Sequence, residues 1–271
     1  MCGFLAVIPR LGYEFGMKLE QRRKTILSLL VDEGRVRVRD LGQRFAVSDD
    51  TIRRDLEALS SEGFLQKTHG GAVSLDVPSM RRDVRGQITP DAKAKIGEEA
   101  VRHLSPGSTL MIDAGQTTLE VAKRLPPGPF TVITLSLDVA VALSARKDVR
   151  LIMLGGEWDG EQRLFRGAAT VEAIRSYRAT TSVMGACAVE TAFGVTASEE
   201  WDCAAKRAMM QVSAKRMLVA DHTKFGRREP FFVAGLEAFD TIVSDEESAP
   251  SSAASGPEPD GSEPGPNLDA A

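Results

Sequence analysis

The chain has 271 residues, with 34 Lys and Arg against 38 Asp and Glu and a formal net charge of −4. That length can hold two domains, each with its own core, and no apolar run reaches the length of a membrane span. Three cysteines (Cys2, Cys187 and Cys203) are too few and too scattered for a disulfide frame or a metal site, which fits a reducing, cytoplasmic setting.

Residues 1–16 read as an N-terminal extension. Phe4-Leu5-Ala6-Val7-Ile8 is a short apolar run stopped by Pro9, too short for a secretory core. Residues 17–75 carry a crowd of basic side chains, among them Lys18, Arg22, Arg23, Lys24, Arg39 and Arg44, whereas the charges of the C-terminal tail are all acidic. A mildly acidic whole therefore hides a basic domain suited to double-stranded DNA.

Leu19 to Asp32 reads as a helix with Leu19, Ile26, Leu27 and Leu30 buried and Gly34 as its closing glycine. The stretch Arg35 to Asp55 reads as two short helices around a tight turn. Val38, Leu41 and Phe45 mark the first. Ala46-Val47-Ser48 breaks the pattern, and Ser48 is a good N-cap for the second, which carries Ile52, Leu56 and Leu59 on one face. Thr51, Arg53 and Arg54 lie off that stripe near the helix start, free for a major groove. An arginine there can fork onto guanine or hold a phosphate. The plainer alternative is a helical hairpin with solvated charges. Gly63 to Val73 follows as two short strands around a polar tip, the wing of a winged helix.

Residues 76–90 read as a linker, whose Arg81, Arg82 and Arg85 either graze a phosphate backbone or are solvated. From Asp91 strands alternate with helices. The expected strands are Thr109–Ile112, Phe130–Thr134, Val149–Leu154, Thr180–Met184, Met217–Ala220 and Thr241–Val243, with a long helix from Ser198 to Arg216. The pattern implies a mostly parallel sheet covered on both faces, with ligands at the carboxyl ends of its strands. Polar residues and glycines collect there. Asp113-Ala114-Gly115-Gln116-Thr117-Thr118 forms a strand–loop–helix that is either an anion site or a plain capped turn. Residues 246–271 are rich in Ser, Pro, Gly, Ala and acids, and are expected to be a disordered acidic tail.

Several of these residues together resemble the DeoR or GlpR-type bacterial transcriptional regulators. Arg22, Ile26 and Leu30, then Val47-Ser48, Thr51 through Leu56, and His69-Gly70-Gly71-Ala72 carry the resemblance in the first half. In the second half it rests on Asp113-Ala114-Gly115, Thr117-Thr118, Ile133-Thr134, Ser136-Leu137, Gly155-Gly156, Gly194-Val195-Thr196, Lys206 through Met209, and Asp221 with Lys224-Phe225-Gly226. Met17-Lys18-Leu19-Glu20 looks like the start of such proteins, so residues 1–16 are expected not to be native.

The resemblance implies an α/β chain: a winged helix-turn-helix (17–75), a linker (76–90) and a C-terminal, mostly parallel α/β sensor domain (91–245) resembling sugar-phosphate isomerases. It implies a repressor of sugar metabolism genes that binds operator DNA as a homo-oligomer and answers to a phosphorylated sugar or related small anion. The candidate DNA-contacting residues are Arg37, Ser48, Asp49, Thr51, Arg53, Arg54, Lys67 and His69. The candidate effector-binding residues are Asp113, Gly115, Gln116, Thr117, Thr118, Ser136, Gly155, Gly156, Gly185, Lys206, Asp221 and Lys224. Lys206 or Lys224 would supply positive charge, or be merely solvated. Asp113 and Asp221 would bind sugar hydroxyls, or only cap turns.

Three positions depart from the family pattern. Gln116 stands where Thr or Ser is usual, Leu135 where Asn is usual, and Thr181 near where Asp is frequent. No catalytic residue, cofactor or metal is expected. The alternatives are an isomerase-like enzyme, for which Glu157, Glu190, Glu199 and Glu200 show no paired spacing, and a ligand-independent DNA-binding protein.

Overall fold

In the computed structural model, residues 18–74 and 88–245 are described. The expectations for residues 1–16, for most of the 76–90 linker and for the acidic tail lie outside them.

Three helices open the chain: α1 (Leu19–Glu33), α2 (Val38–Phe45) and α3 (Asp49–Ser61). Gly34 closes α1 at φ 72°, a left-handed conformation that glycine adopts without a Cβ penalty. Ser48 caps α3, its Oγ accepting the Thr51 N–H at 3.2 Å. Two expectations need correction. Arg35–Arg37 is strand β1 rather than helix, because Val36 pairs with Ala72 in the wing. Leu19 is 49% exposed at the first turn of α1, so the buried side begins at Arg22 and Ile26.

The wing strands β2 (Leu65–Thr68) and β3 (Gly71–Ser74) complete a sheet of order β1-β3-β2. Gly71 sits where β1 crosses closely, and a Cβ there would overlap the Val36 carbonyl oxygen. Gly71→Ala is expected to cost about 1–3 kcal/mol through this overpacking. A thermal melt unchanged from the parent would show that β1 does not lie against β3 in this way.

The α3 helix is tied to α1 by a buried ion pair. Arg22 Nε donates to Asp55 Oδ2 at 2.6 Å, and Arg23 Nε reaches Asp55 Oδ1 at 3.4 Å. Two elements brought together by apolar stripes on Ile26, Leu30, Ile52 and Leu56 are thereby fixed in rotation as well.

The second half is a six-stranded sheet of order β14-β12-β9-β4-β5-β6, every neighbouring pair parallel. Its strands are β4 (Thr109–Ile112), β5 (Phe130–Thr134), β6 (Val149–Met153), β9 (Ala179–Gly185), β12 (Ser213–Val219) and β14 (Thr241–Val243). Helices α4 (Pro90–Ala100), α5 (Gln116–Lys123), α6 (Leu137–Leu143), α7 (Ala168–Arg175) and α8 (Glu200–Val212) accompany it. Two apolar clusters hold these layers, one around Leu110, Ile112, Val132 and Val219, the other around Met111, Ile133, Met184 and Leu218. Alternate residues of one strand thus serve opposite faces, as a doubly covered sheet requires.

The sequence reading missed smaller pieces. A hairpin of β7 (Glu157–Asp159) and β8 (Leu164–Arg166), helix α7, and a three-stranded sheet of β10 (Ala188–Glu190), β11 (Gly194–Ala197) and β13 (Phe231–Ala234) are added to the main sheet. The long helix also ends earlier than expected. Ser213 already pairs with Ala179, so sheet pairing overrides the helix propensity of Ala214, Lys215 and Arg216.

Strand order places a reversal beside β4. The chain proceeds from β4 to β5 and β6 on one side, and to β9, β12 and β14 on the other. The loops after β4 and β9 therefore diverge and leave a crevice at their carboxyl ends. One strained corner lies nearby. Thr89, just before Pro90, has φ 46° and ψ 51°, a left-handed conformation costing a β-branched residue about 1–3 kcal/mol.

Candidate functional site

The candidate DNA-contacting residues lie on three parts of the winged helix: the start of α3, the entry to α2 and the wing. Ser48, Asp49, Arg53 and Arg54 are exposed at the start of α3, with Thr51 half-buried. Arg54 Nη2 lies 2.9 Å from Asp50 Oδ2 on its own helix, a pairing across two exposed side chains that a phosphate can replace. Arg37 precedes α2, and Lys67 and His69 are exposed on the wing. Lys67 pairs with Glu57, so it is engaged within the domain.

A second site opens at the crevice between β4 and β9 as a cavity of about 350 Å³. Gly115, Gln116 and Thr117, at the start of α5, form one wall. The first N–H groups of α5 have no partner within the helix, and they favour an anion. Gly185 ends β9 in the lining, and Lys224 enters from the turn after β12.

Beneath this wall lies a charged cluster. Lys206 Nζ donates to Asp113 Oδ2 at 2.5 Å and to Asp202 Oδ1 at 2.8 Å. Asp113 also accepts the Ala114 N–H at 2.8 Å and the Gly185 N–H at 3.2 Å. The carboxylate thereby ties the loop after β4 to the end of β9. Burial alone would push the Lys206 ammonium down, but the Asp113 and Asp202 carboxylates outweigh it and hold it well above the usual lysine range. Burial pushes Asp113 up, with Lys206 pulling the other way. Two of the three ammonium protons are committed to these carboxylates, and Lys206 is among the residues that line the cavity.

The remaining effector candidates divide. Thr118 is buried, and its hydroxyl donates to the carbonyls of Asp113 and Gly115, so it braces the loop from behind. Ser136 is buried as the cap of α6, its Oγ accepting the Val139 N–H. Gly155 and Gly156 pack beside Thr170 rather than in the lining, and a Cβ on Gly156 would overlap the Thr170 hydroxyl. Asp221 is buried and accepts the Thr223 N–H at 3.1 Å, the capping alternative, while Thr223 itself lines the cavity. Asp113 lies under the wall rather than in it.

Sequence reasoning missed most of the lining. Lys93 comes from α4, and Asp159, Glu161, Gln162 and Arg166 from the β7–β8 hairpin. Cys187, Ser198, Glu199, Trp201 and Asp202 come from the other side. Burial and the Asp202 carboxylate push the Cys187 thiol up, so it is a protonated wall group. A signal was present for Asp202, which stands four residues before Lys206 on α8. Of the departures from the family pattern, Gln116 lines the cavity, whereas Leu135 is buried in the core cluster with Leu154 and Ile174, and Thr181 is buried in β9.

Among the described residues, no helix is long and apolar enough to cross a membrane, and no group of three His, Cys, Asp or Glu side chains is arranged to hold a metal.

Residues 22–77 match the DeoR-like helix-turn-helix domain, and residues 88–246 match the DeoR C terminal sensor domain. The chain is 33% identical to the transcriptional repressor AccR of Agrobacterium fabrum, over 83% of this chain and 89% of that one. It is 31% identical to the glycerol-3-phosphate regulon repressor of Escherichia coli, over 84% and 92%. Among solved structures it has a likeness to ribose 5-phosphate isomerase A from Methanocaldococcus jannaschii, at 15% identity and a TM-score of 0.38 over 50% of this chain and 54% of that one, too slight to bear on function. With both halves matched in order, and a winged helix joined to a cavity-bearing α/β domain, the chain belongs to the DeoR family of DNA-binding transcriptional regulators.

Proposed function

We propose that this regulator represses genes of sugar metabolism by holding operator DNA, and releases it when a phosphorylated sugar or related small anion fills the cavity at the β4–β9 crevice. The observation that carries this reading is the meeting of the α5 N-terminus with Lys93, Arg166, Lys206 and Lys224 around one cavity. Fixed N–H groups and several cations suit a phosphate, and the cavity volume suits a monosaccharide. The name of the glycerol-3-phosphate regulon repressor supports the same ligand class. We place the DNA-binding unit at residues 17–75, the linker at 76–90 and the sensor at 91–245. The protein works in the cytoplasm as a homo-oligomer, since helix-turn-helix units read repeated half-sites, and it turns over no sugar phosphate.

Fluorescence anisotropy on DNA from upstream of its own gene tests this directly, with scrambled DNA as control, a salt titration and a set of sugar phosphates. Preferential, salt-sensitive binding that one sugar phosphate weakens is the expected result. Failure to prefer any upstream fragment would overturn the DNA half, and turnover of an added sugar phosphate would overturn the regulator-only reading.

Arg53 and Arg54 carry the next expectation. If either reads a base, its change to Ala costs about 1–3 kcal/mol on the operator and relaxes one position of the sequence preference. If it holds phosphate, affinity falls on all sequences alike and the salt slope drops by about one. Equal binding by mutant and parent would remove that arginine from the interface.

A further inference from the structure

The cations around the cavity do not stand alone. Four carboxylates, Asp159, Glu161, Glu199 and Asp202, share the lining with them, and Asp113 lies beneath as a fifth. The most enclosed of these groups form one cluster. Lys206 is a single ammonium held by two carboxylates, Asp113 at 2.5 Å and Asp202 at 2.8 Å, and all three side chains are largely buried. Two negative charges against one positive leave a surplus of negative charge. Among the described residues, Lys206 is the only cation paired with either carboxylate. Their other partners are neutral. Asp113 accepts the Ala114 and Gly185 N–H groups, and Asp202 Oδ2 accepts from the Cys187 thiol at 3.5 Å.

An anion seated at the start of α5 brings further negative charge to this cluster. Little water reaches it, so ionising every group becomes unfavourable, and a buried carboxylate answers by taking a proton. Asp113 is already biased that way. Burial pushes its carboxyl above the ordinary value, Lys206 pulls it down, and Asp202 adds to the rise. The other titratable groups of the wall come from different elements. Lys93 comes from α4, Glu161 from the β7–β8 hairpin, Glu199 from just before α8 and Lys224 from the turn after β12. Glu161 and Glu199 are exposed, so water and salt screen them. Arg166 pairs with Glu157 and Asp159. His222 also follows β12, with its ring held against Asp245 at 2.6 Å.

We propose that effector binding is coupled to the uptake of one proton: as the anion enters the cavity, the Asp113–Asp202 pair takes a proton from solvent, which leaves one carboxylic acid and one carboxylate around the Lys206 ammonium. This rests on the reading of the cavity as the site of an anionic effector. The proton belongs to the pair rather than to one residue, since two carboxylates on one ammonium titrate together. It removes the surplus charge. Asp202 lines the cavity, and as a carboxylic acid it also gains a donor that a carboxylate lacks. Proton and anion thus favour one another, and by reciprocity acid strengthens effector binding. The regulator reads acidity together with its ligand.

Titration calorimetry of the full chain tests this, in buffers of different ionisation enthalpy, because the dependence of the heat on the buffer counts the protons taken up. The probes are glycerol 3-phosphate, glucose 6-phosphate and inorganic sulfate. Sulfate does not titrate between pH 6 and pH 8, so any proton taken up with it goes to the protein. The expected result is about one proton per bound probe, with affinity falling about tenfold per pH unit across that range. Asp202→Asn keeps the shape and an acceptor for Lys206 but leaves one carboxylate on one ammonium. It is expected to take up no proton and to bind the probe about tenfold more tightly at pH 8. His222→Gln is expected to keep the full uptake. Binding by the parent without proton uptake would overturn the proposal and leave the anion site standing. Uptake that survives Asp202→Asn, or that His222→Gln abolishes, would overturn it too. If only the phosphates bind, Asp202→Asn decides, because a proton carried by the phosphate itself is taken up by parent and variant alike. If circular dichroism shows Asp202→Asn misfolded, Asp113→Asn takes its place with the same expectation. No heat with any probe in the parent would overturn the anion reading of the cavity, and the proton coupling with it.

Discussion

Asp55→Ala is expected to destabilise the DNA-binding half by about 3–5 kcal/mol, the usual result of removing one partner of a buried ion pair. Asp55 is 2% exposed and Arg22 8% exposed, so water does not readily replace the lost carboxylate. The cost falls on a small domain with one apolar cluster, where a few kcal/mol is a large share of the total. The functional consequence follows from where the residues sit. Asp55 lies on α3, the helix that presents Arg53 and Arg54, and Arg22 lies on α1 of the scaffold. Loss of the pair frees the rotation of α3, so specific DNA binding should fall further than non-specific binding. Asp55→Asn keeps an acceptor of the same shape without the charge and should fall between parent and Ala. Denaturant or thermal unfolding of the three proteins reads this out. A value for Asp55→Ala within about 0.5 kcal/mol of the parent, the range of ordinary surface changes, would show that the pair does not hold the helix.

The contrast between what was legible and what was not follows the range of each interaction. Gly34 and Ser48 were readable because a helix stop and a helix cap are local chemistry. The strands of the parallel sheet were readable, though not their order in it, because apolar runs bounded by glycine loops repeat along the second half. Leu19 misled because it continues the helical spacing of Ile26 and Leu30, yet its side chain stays half exposed at the first turn. The β7–β8 hairpin left no trace, since Glu157-Trp158-Asp159 and Leu164-Phe165-Arg166 are too short to show a period. Its five cavity residues were missed with it.

The site itself was half visible for the same reason. The loop Gly115 to Thr117 could be read as an anion cradle because its glycine, threonines and helix start are adjacent. Asp113 and Lys206 were both candidates, but 93 residues separate them, and nothing local said that they bind one another rather than a ligand. Nothing local in the sequence marks Lys93. Its burial comes from the approach of Ile88 and the cavity walls, which only the tertiary structure supplies. Ser136 and Thr118 show the reverse. Hydroxyls at strand ends resemble ligand groups in sequence, yet both are spent on the backbone of their own loops.

Lys206→Met should produce the largest effect in the sensor half, and its pH dependence identifies the cause. The change leaves the Asp113 and Asp202 carboxylates facing one another, with their side chains 2% and 13% exposed, without the ammonium that joins them. Near neutral pH the expected loss is about 3–5 kcal/mol. Burial already pushes Asp113 above its ordinary value of 3.8, and removal of Lys206 takes away the main opposing influence. The folded variant therefore holds a proton that the unfolded chain gives up, and native binding of more protons means that stability falls as pH rises. The deficit should be small near pH 4, where the unfolded carboxylates also become protonated, and should grow toward pH 7. The parent should lack this added fall, because the Lys206 ammonium is held charged throughout that range. Thermal unfolding of both proteins from pH 4 to pH 7 measures the difference. A constant gap would mean that Met disturbs packing alone, and no gap would mean that the carboxylates are relieved by water entering the cavity rather than by Lys206.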